Sequence, residues 1–174
     1  MTVDELKTFI RDVPDFPKPG ILFKDITPLL RSPEALDTAC SLLAEPFRSE
    51  GVTSVAAIES RGFIFGSIVA QKLGAGFIPI RKPNKLPWTK RRYEYVLEYG
   101  SDALEIHDDA LTPDDRVLIV DDVLATGGTA AAATHLVRGF QATLVGVAMV
   151  VELGFLGGRS KLAEDVKVHS VLSY

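Results

Sequence analysis

Apolar residues gather in four short continuous runs, Val55-Ala56-Ala57-Ile58, Phe77-Ile78-Pro79-Ile80, Val117-Leu118-Ile119-Val120 and residues 144–151. Runs of this length without alternation predict strands buried on both faces, as in a parallel sheet. A helical pattern over residues 63–73 lies between the first two and stops at Gly74-Ala75-Gly76. A second, from about 129 to 140, lies between the last two and turns Ala133, Leu136, Val137 and Phe140 inward. Strand, helix and strand then repeat as two βαβ units with right-handed crossovers. Ser32-Pro33-Glu34 has the residue types of a helix start. Leu36, Ala39, Cys40, Leu43, Ala44 and Phe47 follow as one apolar stripe, with Pro46 expected to fray its last turn. Residues 3–11 predict a short amphipathic helix on Val3, Leu6, Phe9 and Ile10, and residues 166–172 alternate as a closing strand. Residues 95–99 and 103–107 predict a hairpin around Gly100-Ser101-Asp102. A polar turn follows over 108–114, and residues 154–162 predict a loop plus short helix containing Gly157-Gly158-Arg159. The class is α/β, with a central mostly parallel sheet flanked by helices.

Two segments escape these periods. Residues 16–26 contain Pro17, Pro19 and Gly20 among apolar side chains. They form either a loop closing one end of the core or a hood whose bare backbone and Leu22 and Phe23 meet a flat ligand. Residues 81–95 carry Arg81, Lys82, Lys85, Lys90, Arg91 and Arg92 with Pro83 and Pro87. The default for such a run is a solvated charged loop. In a chain of net charge −4, this local excess of cations points instead to a small polyanionic ligand. Trp88 and Tyr93 would anchor that loop when closed or sit in a subunit interface.

A length of 174 residues fits one domain with a real core, and 47% hydrophobic with 24% charged residues fits a globular chain. The acidic balance argues against general affinity for nucleic acid or membrane surfaces. Cys40 is the single cysteine and lies on the apolar stripe. It is expected to be a packing residue, and it suits a reducing compartment. The first eleven residues lack a basic start followed by an apolar run, and no apolar run reaches membrane-spanning length. The expectation is a soluble cytoplasmic chain.

The chemistry concentrates where Val117-Leu118-Ile119-Val120 runs into Asp121-Asp122 and then into Thr126-Gly127-Gly128-Thr129. Ligands of parallel sheets sit beyond the carboxyl ends of the strands. A Gly-permissive loop opening a helix aims free N–H groups at an anion. Two adjacent carboxylates can accept hydrogen bonds from two neighbouring hydroxyls. Together these features point to a ribose 5-phosphate; the plain alternative is a solvated strand end with a helix cap. Arg61, between a strand end and a helix start, either pairs with Glu59 on the surface or binds an anion. The sequence holds no P-loop, no dinucleotide fingerprint and no G-x-S-x-G elbow. His107, His135 and His169 are too scattered for a structural zinc site, and His135 falls off the apolar face of its helix. A phospho-acceptor receiver domain would split its acids between an early strand and a later one, unlike this pair.

Val120-Asp121-Asp122-Val123-Leu124-Ala125-Thr126-Gly127-Gly128-Thr129 resembles the phosphoribosyl-diphosphate motif of the type I phosphoribosyltransferases. The stretch Phe16-Pro17-Lys18-Pro19-Gly20-Ile21-Leu22-Phe23-Lys24-Asp25-Ile26-Thr27-Pro28-Leu29-Leu30 is similar to the N-terminal hood of that family's adenine-using branch. Glu59-Ser60-Arg61-Gly62-Phe63, Ile80-Arg81-Lys82-Pro83-Asn84-Lys85-Leu86-Pro87 and Leu97-Glu98-Tyr99-Gly100 are similar to its other signatures, in the same order. The resemblance implies the type I phosphoribosyltransferase fold as one domain over 1–174, with a small hood over 1–30 and a flexible catalytic loop and hairpin over 81–102. It implies transfer from 5-phosphoribosyl 1-diphosphate to adenine, giving AMP and diphosphate in purine salvage. Mg²⁺ would be held mainly through the substrate diphosphate, with no metal ligands in the chain itself, and the chain would form a homodimer. Carried over by position, Ala125, Thr126, Gly127, Gly128 and Thr129 hold the 5-phosphate, and Asp121 and Asp122 the ribose hydroxyls. Arg61, Arg81 and Lys85 face the diphosphate. Leu22 and Lys24 meet adenine, partly through backbone. Glu98 is the acid/base group, with Tyr99 in the same loop. Relatives often carry Arg where this chain has Lys24. Two further readings stay open: a non-catalytic regulator that binds phosphoribosyl diphosphate, and a transferase for another nucleobase.

Overall fold

The computed structural model describes residues 1–96 and 100–174. Helix α1 (Val3–Lys7) is capped by Thr2 and Glu5 in a reciprocal capping box. It is shorter than the apolar spacing predicts, because the chain turns at Thr8 and enters strand β1 (Arg11–Pro14). Leu6 and Ile10 still bury, whereas Val3 stays exposed. β1 pairs antiparallel with β2 (Leu22–Asp25), so residues 16–26 make the bend and second strand of a ribbon rather than a loose loop. A short helix α2 (Thr27–Arg31), with no counterpart in the sequence reading, leads into α3 (Pro33–Ala44). Ser32 Oγ accepts from Ala35 N–H at the head of α3, and Pro46 tightens its tail into a 3₁₀ turn at Glu45–Phe47.

Strand β3 (Ser54–Ile58), helix α4 (Gly62–Leu73) and strand β4 (Gly76–Ile80) form the first parallel unit, closed by left-handed Gly74. Strands β5 (Lys90–Val96) and β6 (Ser101–His107) form a separate hairpin. β5 therefore takes up Lys90, Arg91 and Arg92, which the pattern assigns to a loop. Alternation is present, but Arg91, Tyr93 and Tyr95 occupy the inward face. Arg91 lies over the Phe140 ring at 3.8 Å and Tyr93 stacks on His135 at 3.9 Å. Then come β7 (Arg116–Leu124), α5 (Gly128–Arg138), β8 (Thr143–Glu152) and β9 (Val168–Ser173), with 3₁₀ turns at Gly154–Leu156 and Gly158–Lys161 between the last two.

The main sheet has the order β4-β3-β7-β8-β9, and each of its pairings is parallel. Side chains along β7 alternate between its two faces. Leu118 and Val120 join Phe47, Phe65 and Leu43 in one core, and Val117 and Ile119 join Leu104, Leu136 and Val137 in the other. Burying each such side chain is worth about 1.5–3 kcal/mol, so the two-sided apolar runs are what fix the sheet. The chain runs outward from β3 to β4 and outward the other way from β7 to β8 and β9. The order therefore reverses between β3 and β7, and their carboxyl ends flank the crevice where open α/β sheets bind ligands.

Candidate active site

A cleft of about 540 Å³ opens at that crevice. Ile58, Glu59, Ser60 and Arg61 line it from the end of β3, residues 121–130 from β7 and the start of α5, and residues 21–24 from the ribbon. The structure thus brings Leu22, Lys24, Arg61, Asp121, Asp122, Ala125, Thr126, Gly127, Gly128 and Thr129 to one cavity. A depression of about 1180 Å³ adjoins the same loop, lined by Tyr93, His135, Phe155 and Lys161. It shares Thr126, Gly128 and Leu156 with the cleft but has none of the acids or Arg61, so the chemistry belongs to the smaller space.

β7 continues past the acids to Leu124, so Asp121 and Asp122 lie within the strand rather than beyond its end. Its pairing to β3 stops at Val120 while its pairing to β8 runs on, which leaves the β3 side of the acids open to the cleft. The two carboxylates differ sharply. Asp122 is buried and bonded by Arg61 Nε. Asp121 accepts from Asp122 N–H at 2.8 Å and packs under the start of α4, where a Cβ on Gly62 would lie 2.7 Å from its Oδ1. Burial first, and the Asp122 charge second, push the Asp121 carboxyl well above its ordinary value.

The loop after the acids enters α5 through Gly127, left-handed at φ 83°, with no side chain capping the helix. The first N–H groups of α5 have no partner one turn back, so this helix start is built to receive an anion. Thr129 Oγ1 lies 3.3 Å from the Tyr95 hydroxyl, and that hydroxyl donates to Asp102 Oδ2 at 3.2 Å. Asp102 also takes the Lys82 ammonium. Lys82 lines the cleft, although the sequence reading leaves it outside the diphosphate set.

Arg61 does not pair with Glu59. The Ile58↔Ile80 register sets Glu59 beside Arg81 instead. Glu59 Oε2 accepts from Arg81 Nε at 2.9 Å and from Lys82 N–H at 2.8 Å. Glu59 is therefore a site residue that sequence reasoning missed, though it sits in a quoted motif. Arg61 bridges Asp122 and the Phe23 ring, whose centroid is 5.7 Å from its Cζ. Arg81 and Lys85 stand behind the cleft rather than on its wall: Arg81 is turned toward Glu59 and donates to the Lys85 carbonyl at 3.3 Å, and Lys85 is exposed. Lys24 Nζ meets Asp12 at 2.5 Å and lies 4.0 Å from the Tyr174 ring centroid, so its charge is spent inside the ribbon. Leu22 is 46% exposed at the cleft edge, and among the described residues the outer edge of β2, which carries it, has no strand neighbour. Glu98 and Tyr99 lie outside the described residues. Cys40 is fully buried, and burial pushes its thiol up to about 12, as a packing cysteine requires.

A phosphoribosyl transferase domain model matches residues 25–172. The adenine phosphoribosyltransferase of Nitrosococcus oceani is 55% identical over 172 residues, covering 99% of this chain and all of that protein. The chain belongs to the adenine phosphoribosyltransferase family. Family structures agree in fold. That of Rhodothermus marinus superposes with a TM-score of 0.94 at 52% identity, over 99% of this chain and 98% of its own. That of Saccharomyces cerevisiae, complexed with an imino-altritol bisphosphate and adenine, gives 0.91 at 42% identity over 97% of both chains. Within this family fold, the crevice between β3 and β7 carries both the acid pair and the anion loop.

Proposed function

We propose that this chain transfers the 5-phosphoribosyl group of 5-phosphoribosyl 1-diphosphate to adenine, forming AMP and diphosphate. The observation that carries the proposal is the single cleft uniting an uncapped helix start, an acid pair, Arg61 and an open ribbon edge. Family membership over the full chain and the adenine complex of the yeast relative support the choice of base. Residues 125–129 receive the 5-phosphate, and Asp121 and Asp122 the ribose hydroxyls. Arg61, Arg81 and Lys85 serve the diphosphate, and we add Lys82. As the C1–O bond breaks, its electron pair leaves with the diphosphate, and these cations stabilise that charge. N9 of adenine attacks C1 and gives its proton to Glu98, with Tyr99 beside it. Residues 1–30 act as the hood and 81–102 as the covering segment that keeps water from the activated sugar. Adenine offers N6 as donor and N1 as acceptor, a pattern that backbone at Leu22 and Lys24 can match. Hypoxanthine reverses it and would leave buried groups unpaired.

Mg²⁺ fits this site as a partner of the substrate. Among the described residues no three His, Cys, Asp or Glu side chains cluster as a metal cage, whereas Mg²⁺ is commonly held by substrate phosphates with one or two carboxylates. Asp121, Asp122 and Glu59 are the carboxylates on the cleft wall, and Glu59 is already taken by Arg81 and Lys82 N–H. When bound, the ion neutralises developing charge on the diphosphate. The composition and the lone reduced cysteine support placement in the cytoplasm, and an exposed apolar face on α4 and β4 supports a homodimer.

The test is diphosphate release with Mg²⁺, phosphoribosyl diphosphate and, in turn, adenine, hypoxanthine, guanine, uracil and orotate. Release with adenine is expected, and its absence would overturn the proposal. Glu98→Gln should lower kcat by about 10²–10⁴-fold while the affinity for phosphoribosyl diphosphate holds. An unchanged kcat removes Glu98 from the mechanism.

A further inference from the structure

The phosphate loop rests on a second piece of backbone, the turn Gly157-Gly158-Arg159. A Cβ on Gly158 would lie 2.3 Å from the Ala125 carbonyl oxygen and 3.1 Å from Gly127 N. In the other direction, a Cβ on Gly127 would lie 2.1 Å from the Gly158 oxygen. The two backbones therefore touch with no room for a methyl group on either. The two glycines are needed for different reasons. Gly127 is left-handed, so a side chain there is strained whatever the space. Gly158 is not left-handed, so at that position space alone excludes a side chain.

The turn is itself held firmly. Arg159 grips Glu152, the last residue of β8, through two bonds of 2.6 and 2.7 Å, and donates a third to the Val168 carbonyl at 3.0 Å. A bidentate fork of this kind fixes orientation as well as distance. Gly157 O accepts from Ser160 N–H at 3.0 Å, and buried Leu162 anchors the far end. The turn therefore transmits the position of β8 and β9 to the loop that opens α5.

We propose that Gly157-Gly158-Arg159, clamped by Glu152, is a positioning element for the 5-phosphate: it sets where Ala125 and Gly127 lie relative to the first N–H groups of α5. This rests on residues 125–129 being the 5-phosphate site. None of the three residues touches the substrate; they act through the loop.

Gly158→Ala tests the contact without changing charge, at a position whose backbone is outside the left-handed region that an alanine would resist. The added methyl must move the Ala125 carbonyl by about 1 Å, a misplacement on the order of a 10²-fold loss where geometry governs binding. Titration with ribose 5-phosphate should show Kd raised at least about tenfold, and KM for phosphoribosyl diphosphate should rise with it. KM for adenine should stay within about twofold, because the hood is untouched. Arg159→Lys keeps the charge but loses the fork, and should give a smaller loss of the same kind. Ribose 5-phosphate binding within twofold of wild type in Gly158→Ala overturns the proposal. So does an equal rise in both KM values, which would mark a general loss of structure. If Gly158→Ala does not fold, Arg159→Lys decides by the same two readouts. Thr129→Val separates the underlying reading. If it weakens ribose 5-phosphate and Gly158→Ala does not, the positioning role fails alone. If neither does, the phosphate site itself is misplaced.

Discussion

Asp121 and Asp122 are neighbours in sequence with opposite electrostatic surroundings. Asp122 meets a guanidinium, whereas Asp121 meets the start of α4 and its neighbour's charge. Its carboxyl is therefore held above the ordinary 3.8. Across the window from 3.8 up to the raised value, the folded chain keeps a proton that the unfolded chain has released. Stability then falls as pH rises through that window. Asp121→Asn removes the charge and keeps an oxygen for the Asp122 N–H. Its thermal midpoint should exceed wild type, more at pH 8 than at pH 5, by about 2–4 °C per kcal/mol gained. Its KM for phosphoribosyl diphosphate should rise, because an amide is a weaker partner for ribose hydroxyls. Calorimetry at the two pH values with steady-state kinetics checks both halves, and a midpoint gain independent of pH would refute the electrostatic account. Lys24 illustrates the converse. Its charge is taken up by Asp12 and the Tyr174 ring rather than offered to the cleft.

Among the elements, the β5–β6 hairpin does more than cover the core. Glu105 on β6 is 1% exposed, and its backbone exchanges bonds of 2.8 and 2.7 Å with Arg81. Its carboxylate accepts from Asn84 N–H at 3.0 Å and stands 3.4 Å from Lys90 and 3.7 Å from Arg92. It thus mounts the segment carrying Arg81, Lys82 and Lys85. Glu105→Ala should destabilise the chain by about 1–3 kcal/mol in urea unfolding, since the cations left behind stay partly solvated. It should also raise KM for phosphoribosyl diphosphate; Glu105→Gln, which keeps an acceptor for Asn84, should fall between. Nothing in the local pattern marks Glu105, because its partners lie on the other strand and on the preceding loop. The same cause explains what else was illegible. β3, β4, β7 and β8 could be read because a two-sided apolar run has few other uses. β5 could be read only at its end, Tyr95 and Val96, because arginine stems and tyrosines fill the inward face of the rest. α2 is one turn long with Pro28 inside it, and Pro17, Pro19 and Gly20 hide the ribbon whose pairing spans them. The acid pair and the Thr/Gly loop were legible since strand end, loop and helix start are contiguous. The partner of Glu59 was not legible, because register across the sheet sets it rather than nearness in sequence.

For the molecule as a whole, the sheet order leaves β4 as an edge, and the surface beside it is apolar. Phe77 on β4 and Ile64 on α4 are 38% and 37% exposed, and Phe63 meets the Phe77 ring edge-on at 5.6 Å. Gly66 makes this face possible, since a Cβ there would lie 2.4 Å from the Ala57 Cβ and 3.2 Å from the Phe77 ring. Stable self-association needs about 1,200–2,000 Å² of total burial, with a few large apolar anchors near its centre. If this face is the homodimer interface, light scattering should give twice the 18.9 kDa of one chain. Ile64→Glu and Phe77→Glu would bury an unpaired carboxylate in it and should weaken association by roughly 100-fold or more. Trp88→Ala, at a 65% exposed position between β4 and β5, should leave the mass unchanged. Association on this face would also bear on catalysis. Ile64 is three residues beyond Arg61 and two beyond Gly62, which packs on Asp121. A partner seated on Ile64 would steady the start of α4, and with it Arg61 and Asp121. The two monomerising variants should therefore show a higher KM for phosphoribosyl diphosphate that falls back as protein concentration is raised. A KM independent of concentration would separate assembly from the site, and an unchanged mass would place the interface on another face.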